Sequence, residues 1–344
     1  MGAAPRVLTV NTGSSSLKLS LLDVDDDVLA EREVPLEGEV DADALTAAIA
    51  EMGQVDAVGH RVVHGGERFV QPTVVDDEVL AALGDLVPLV PTHQPRALSA
   101  IRAARRALPG VAHVACFDTA FHATLPAAAR TYAVPAAWRA LGVRKFGFHG
   151  LSFEAATRSA AAELGRAAED VSLVIAHLGS GGSMCAVRNG ISVDTTMGLT
   201  PVAGLVMAKR SGDVDPGALA WLVERAGVTP RGLRQGLERE SGLAGLCGSS
   251  DMREVIARAS AGDADASLAL DVYVHRVRAG VGQMAGALER IDALVFTGGV
   301  GQHSEIVHRR VADGLLGGLV TLVVEAREDL SLARGVRAAL SSPG

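Results

Sequence analysis

The sequence predicts an α/β protein built from two related domains. Three observations point there. The 344 residues are enough for roughly two ordinary domains. Short apolar strands alternate with helical segments in both halves. A strand, a tight turn of small residues and a β-meander occur twice, so that setting Asn11 against His177 places Gly13 on Gly179 and Ser14 on Ser180.

Taken in order, residues 7–10 read as a strand, 11–16 as a small-residue turn and 17–22 as a second strand. An acidic turn at 23–27 precedes a third strand over 28–34. Residues 43–52 look helical, and 57–63 form a short buried strand. Helical spacing returns over 76–86 and 95–108, before a strand at 111–117. In the second half, strands at 173–176 and 184–187 flank a Gly/Ser turn. Asn189-Gly190 is a strong hairpin signal, leading to a strand at 191–195. Residues 194–216 carry no regular period and read as a long loop. One long helix over 268–291 has an apolar seam of Leu270, Val274, Val277, Val281, Met284 and Leu288. A strand at 293–296, a glycine turn at 297–301 and a further helix follow.

Composition excludes several function classes. Thirty-two basic residues against 40 acidic ones leave a net charge of −8, which argues against phosphate-driven nucleic-acid binding and against a polybasic membrane surface. Apolar runs are strand-sized and interrupted, so no bilayer span is expected. A strand begins at Val7, leaving no room for a signal peptide, and a cytoplasmic protein is the expectation. Cys116, Cys185 and Cys247 form no CxxC pair, so neither a disulfide framework nor a zinc site is indicated. Only three of the basic residues are lysines: Lys18, Lys145 and Lys209. They lie in or beside Gly/Ser/His-rich segments, which fits either an arginine-biased composition or a compact ammonium wanted near a polyphosphate.

Several motifs could carry chemistry. NTGSSSLK at 11–18 is either a plain hairpin turn or a nest of N–H and O–H donors for phosphate oxygens, with Lys18 adding a point charge. It is not a P-loop, since no GxxxxGK[ST] occurs. HLGSGGS at 177–183 holds the matching position in the second repeat. TGGVGQHS at 297–304 lets a ligand lie on backbone, or serves close packing. In GHRVVHGG, at 59–66, Arg61 could grip a carboxylate or phosphate with two prongs, or make a surface ion pair. Asp118 in FDTAFH sits at a strand's C-terminal end, a favoured place for a catalytic or metal-holding group in α/β folds. KFGFHG carries His149, the 194–216 loop carries Lys209, Arg210, Asp213 and Asp215, and Asp251 in GSSDMR could contact a ribose.

In this order, NTGSSSLK, GHRVVHGGE, FDTAFH, FGFHG, DTTMGLTP and the run ending in SGDVDP resemble the acetate kinase family, which includes propionate kinases and has butyrate kinases as relatives. The resemblance runs from Val7 to Leu332, nearly the whole chain. It implies two duplicated actin-like ATPase (ribonuclease H-like) domains with a nucleotide cleft between them, as in sugar kinases. The first would take residues 1–120 plus 330–344 and the second 121–329. It implies reversible, Mg²⁺-assisted transfer of phosphate from ATP to acetate or propionate, giving an acyl phosphate and ADP, with Mn²⁺ as a substitute metal. A longer or branched acid such as butyrate is the alternative substrate, and a degenerate nucleotide-binding module the alternative class. A homodimer is implied, with no nucleic-acid or membrane partner.

By the same resemblance, Asn11 and Glu328 attend the metal, and Ser14, Ser16 and Lys18 lie beside the phosphates. Arg61 and Arg210 flank the carboxylate and the transferring phosphoryl group. Asp118 is the active-site carboxylate, either holding the metal through water or orienting the acyl oxygen, and His149 stabilises the transition state. Val63, His93, Phe148 and Pro201 line the acid's pocket. His177, Leu178, Gly179, Ser180 and Gly181 touch the ATP phosphates. Asp251, Met252 and Arg253, with Gly299, Val300, Gly301, Gln302 and His303, surround the adenosine. The chain departs from the pattern in three places: Ser180 replaces an asparagine, GIGEN reads GVGQH at 299–303, and HNPP reads HQPR at 93–96. Members are usually longer than this chain.

Overall fold

The structure is a computed structural model and describes residues 5–13, 16–36, 40–315 and 317–341. Ser14 lies outside the described residues. The chain divides into two compact units, Met1–Ala123 with Phe148–Ala155 and Arg327–Gly344, and Thr124–Gly147 with Ala156–Ala326.

The first unit is organised by a six-stranded sheet. Its strands are β1 (Val7–Thr12), β2 (Ser16–Leu22), β3 (Val28–Pro35), β4 (Ala57–Val62), β5 (Thr73–Val74) and β6 (Ala112–Phe117), in the order β3-β2-β1-β4-β6-β5. β1 to β3 form an antiparallel meander, β4 and β6 run parallel to β1, and β5 is an antiparallel edge. Alternation along the strands builds two cores. Leu8, Val10, Leu17 and Leu19 face Leu45 and Ile49 of the Ala42–Ala50 helix and Ala100, Ala103 and Ala104 of the Gln94–Ala107 helix. Val7, Ala57, Val114 and Cys116 face Leu332, Ala333 and Val336 of the Glu328–Ser341 helix. That last helix comes close because β4 carries Gly59, where a Cβ would stand 2.8 Å from Val336 Cγ2. Asp41 and Asp76 accept backbone N–H groups and so set the starts of helices at Ala42 and Asp77, a residue from where periodicity alone places them.

Beneath the sheet, His60 and His113 stack with ring centroids 5.2 Å apart and share a 2.9 Å contact between His60 Nε2 and His113 Nδ1. His113 Nε2 lies 3.2 Å from the Leu108 carbonyl and must donate to it. Its Nδ1 is therefore the acceptor, His60 Nε2 donates, and His60 Nδ1 is left buried with no hydrogen-bond partner among the described residues. Burial, with His113 beside it, holds the His60 pKa well below its usual value. The unfolded chain takes up a proton here that the folded protein refuses, so stability should fall as pH drops below about 6.5. For His60 alone the loss is about 1.4 kcal/mol per pH unit. Urea unfolding between pH 7 and pH 5 measures it, and a His60→Leu/His113→Leu variant should flatten the slope.

The second unit repeats the first sheet. β7 (Ser172–Leu178), β8 (Gly182–Arg188), β9 (Ile191–Thr195), β10 (Ala293–Thr297) and β11 (Thr321–Val323) stand in the order β11-β10-β7-β8-β9. Again the first three form an antiparallel meander, and the next two run parallel to its first strand. Asn189 and Gly190, with φ of 53° and 77°, make the mirror-image turn that their sequence predicts. The core gathers around one helix, Ala264–Ala285. Its expected seam of Leu270, Val274, Val277, Val281 and Met284 is buried. Its limits differ from 268–291: Asp263 caps it earlier by accepting from Asp265 N and Ala266 N, and it ends before Gly286. Leu288 and Ile291 lie beyond the helix yet still pack against the core. The stretch expected as a glycine turn at 297–301 is largely a short helix, Gly298–His303, followed by Glu305–Ala312. Residues 196–215 contain neither helix nor strand. Among the described residues no helix is long and apolar enough to cross a membrane.

Candidate active site

In the first unit, four predicted residues meet at the C-terminal ends of neighbouring parallel strands. Asn11 is the penultimate residue of β1, Arg61 that of β4, Asp118 follows β6, and Glu328 opens the last helix. Asn11 was read as part of a turn; it lies within β1, directly across the ladder from Lys18. The Arg61 guanidinium reaches Asp118 with Nε at 3.0 and 3.1 Å and Nη2 at 2.8 Å. Its Nη1 donates to Glu328 Oε2 at 2.7 Å and to Asn11 Oδ1 at 3.1 Å. Asn11 Nδ2 closes the ring on Glu328 Oε2 at 2.7 Å. The alternative reading of Arg61 as a surface pair fails, since its side chain is 14% exposed and that of Asp118 2%.

Two carboxylates thus share one guanidinium in a buried place. Burial pushes the Asp118 pKa up to about 6; Arg61 opposes this and the Glu328 charge adds to it. Burial works against the Arg61 charge, but Asp118 and Glu328 outweigh it and raise its pKa above the usual arginine range. Ser16 donates to Glu33 on the neighbouring strand.

Around the cluster, Gly150 N donates to the Asp118 carbonyl at 2.8 Å. A Cβ on Gly150 would lie 2.3 Å from that oxygen, so only glycine lets this loop approach. It places His149, half-buried with a φ of 61°, one peptide from the Asp118 backbone. Phe148 is buried and meets His64, the residue after Val63, edge-on at 5.5 Å. His93 takes the N-cap position of the Gln94–Ala107 helix, and the adjacent Gln94 side chain donates to the carbonyls of His64 and Leu83.

In the second unit, a cavity of about 780 Å³, the size of a small-molecule site, collects eight of the sixteen predicted nucleotide residues. Gly179 and Ser180 come from the β7–β8 turn, where Gly179 N donates to Gly181 O at 2.8 Å. Asp251, Met252 and Arg253 come from the head of the Met252–Ser260 helix. Gly299, Val300 and His303 come from the short helix after β10. Asp251 caps its helix and is gripped by the Arg253 guanidinium at 2.7 and 3.1 Å, which holds its carboxyl down at about 2. Five predicted residues of this unit do not line the cavity: Gly181, whose carbonyl accepts from Gly179 N, and four others. Leu178 turns into the core, Gly301 is buried with its carbonyl facing His308, Gln302 accepts from Ala326 N, and His177 lies on β7 opposite Ser183. Sequence reasoning missed Leu243, Ile256 and Tyr273 on the cavity wall. The signal for Tyr273 was an aromatic hydroxyl three residues after Leu270 in an apolar seam.

Within the same unit, Arg210 Nη1 donates to the Pro201 carbonyl at 2.7 Å, so two predicted substrate residues are in contact. Burial lowers the Arg210 pKa, with Glu238 acting in the opposite sense. Lys145 does not join a phosphate loop: its Nζ is spent on Asp194 Oδ1 at 2.8 Å and the Thr195 carbonyl at 2.7 Å.

Two sheets of one repeated order, with an arginine–carboxylate cluster at the strand ends of one unit and a nucleotide-sized cavity in the other, define a two-domain actin-like ATPase fold. The sequence profile described as the Acetokinase family matches residues 41–343. The acetate kinase of Clavibacter sepedonicus is 45% identical over 343 residues, covering 90% of this chain and 87% of the relative. That of Deinococcus deserti is 42% identical over 391 residues, covering 97% and 98%. Among solved structures, Porphyromonas gingivalis acetate kinase superposes with a TM-score of 0.88 at 33% identity, covering 98% of this chain and 100% of its own. A propionate kinase from Francisella tularensis gives 0.90 at 31%, covering 97% and 99%. The chain belongs to the acetokinase family.

Proposed function

We propose that this protein catalyses the reversible, ATP-dependent phosphorylation of acetate, with propionate tolerated, to the acyl phosphate and ADP. The observation that carries the reading is the buried Arg61–Asp118–Glu328–Asn11 cluster at adjoining strand ends. Phosphoryl transfer asks little covalent chemistry of a protein; it asks for in-line placement and positive charge around the equatorial oxygens. Arg61 and Arg210 are assigned to the carboxylate and the transferring group, and His149 to the charge that develops on it. Acetate is already an anion and needs no strong base, so Asp118 acts by orienting Arg61 or by holding a metal-bound water. Val63, His93, Phe148 and Pro201 bound the alkyl tail. Each methylene changes binding by only about 1–3 kcal/mol, so neighbouring acids are graded rather than excluded.

Lys18, Ser16 and Ser14 are assigned to the phosphates together with residues 177–181, and 251–253 with 299–303 to the adenosine. The hard oxygens of Asn11 and Glu328, with the Asp118 carboxylate on the same guanidinium, fit Mg²⁺ or Mn²⁺. When bound, the ion supplies positive charge to the nucleotide's phosphate oxygens. The reading follows the resemblance in taking the lobes as 1–120 with 330–344 and 121–329, and the enzyme as a cytoplasmic homodimer.

The test is acyl hydroxamate formation from ATP, Mg²⁺, hydroxylamine and acids of one to five carbons. Acetate or propionate should give the highest kcat/KM. A maximum at butyrate or a branched acid would move the substrate assignment. No product with any acid, alongside tight ATP binding in a calorimeter, would replace the kinase by a nucleotide-binding module.

A further inference from the structure

His149 holds a backbone conformation that a side chain rarely adopts. Its φ is 61°, in the left-handed region, where the Cβ of any residue but glycine is crowded. Its carbonyl accepts from Phe153 N at 2.9 Å, in the first turn of the Gly150–Glu163 helix. A residue just before a helix is ordinarily extended, so the helix start does not itself call for a positive φ. Strain of this kind persists only where the surroundings hold it.

Three hydrogen bonds pin the two peptides that flank His149. Gly150 N donates to the Asp118 carbonyl at 2.8 Å, and Phe153 N to the carbonyl of His149. The third fixes the peptide before it: the Phe148 carbonyl lies 3.0 Å from His122 Nε2, which must therefore donate. Of these three bonds only the last comes from a side chain. His122 stands four residues after Asp118, in the short 3₁₀ turn Ala120–Thr124. It is 1% exposed, too covered to touch a substrate, and its ring meets that of Phe153 edge-on at 5.6 Å.

We propose that His122 is a positioning residue for phosphoryl transfer: its Nε2–H clamps the Phe148–His149 peptide and so holds the His149 ring in place. This rests on the role assigned to His149 above. The peptide plane that carries the Phe148 carbonyl also carries the His149 N–H, so turning that plane changes the φ of His149. Without the donor the plane turns, His149 relaxes out of the left-handed region, and its imidazole leaves the reacting group. One strand-end loop thereby serves both partners, Asp118 directly and His149 through His122.

His122→Phe keeps a ring among the packed aromatics and removes the donor. The kcat should fall about 30- to 100-fold, with the KM values for ATP and acetate within about threefold of the parent. His122→Gln places an amide nitrogen close to where Nε2 stands and should recover kcat to within about fivefold. In a His149→Ala background, His122→Phe should lower kcat by less than about threefold, because the group it positions is gone. A crystal structure of the His122→Phe protein should show residue 149 outside the left-handed region. A loss of kcat as large without His149 as with it would overturn the proposal, as would an unchanged kcat or a φ near 61° in that variant. If the parent forms no hydroxamate with any acid, the kinase reading fails, and the backbone at residue 149 in His122→Phe still decides whether His122 is the clamp.

Discussion

Arg61→Ala should abolish useful turnover and weaken the first unit at once. The guanidinium donates to Asp118, Glu328 and Asn11 together. Breaking a buried pair by deleting one partner typically costs about 3–5 kcal/mol, because the charge left behind has lost both water and counter-ion. Removing a preorganised donor from a reacting centre typically costs about 10²–10³-fold in kcat, and Arg61 supplies several. Hydroxamate kinetics and urea unfolding on the same preparation read the two effects separately. Arg61→Lys restores the charge but not the fork, so it should recover part of the stability and little of the activity. A variant without Arg61 that keeps parental kcat/KM would remove this residue from the mechanism.

Asp118→Asn should separate activity from stability. The Asp118 pKa of about 6 lies above that of the same group in an unfolded chain, near 4. Between those pH values the folded protein binds a proton that the unfolded chain does not. This group alone therefore stabilises the fold as pH falls from about 6 towards 4, and its ionised form opposes folding at pH 7. Activity has the opposite sign, because the assigned role uses the carboxylate. The kcat/KM should fall about tenfold per pH unit below about 6. Glu328→Gln, by removing the field that helps raise Asp118, should shift that acid limb to lower pH. Asp118→Asn should lose about 10²-fold or more in kcat/KM while its urea midpoint at pH 7 equals or exceeds the parent's. Because His60 acts oppositely over this range, the difference between parent and variant isolates Asp118.

Much of the fold was legible because its causes are local. Period-two apolar runs marked nearly every strand, Asn189-Gly190 marked the hairpin, and the seam from Leu270 to Met284 marked the long helix. Errors fell where a single side chain decides a boundary. Asp263 caps the long helix before its first apolar residue, and Asn11 continues a strand into what small residues suggested was a turn. For Lys145 composition left both an arginine-biased background and a polyphosphate role open, and the structure ties it to Asp194.

Alone, the sequence determined the elements, the duplicated order of strands and the ordered motifs that mark the family, since these depend on neighbours a few residues apart. Only the tertiary structure decided which charges meet. Arg61 and Glu328 are 267 positions apart, and no spacing rule joins them; the parallel crossovers and the return of the last helix to the sheet do. The same holds for Tyr273, which lies in the core cluster around its helix and also lines the cavity. Side-chain periodicity selects a face, whereas burial, charge balance and open space depend on what the rest of the chain brings to that face.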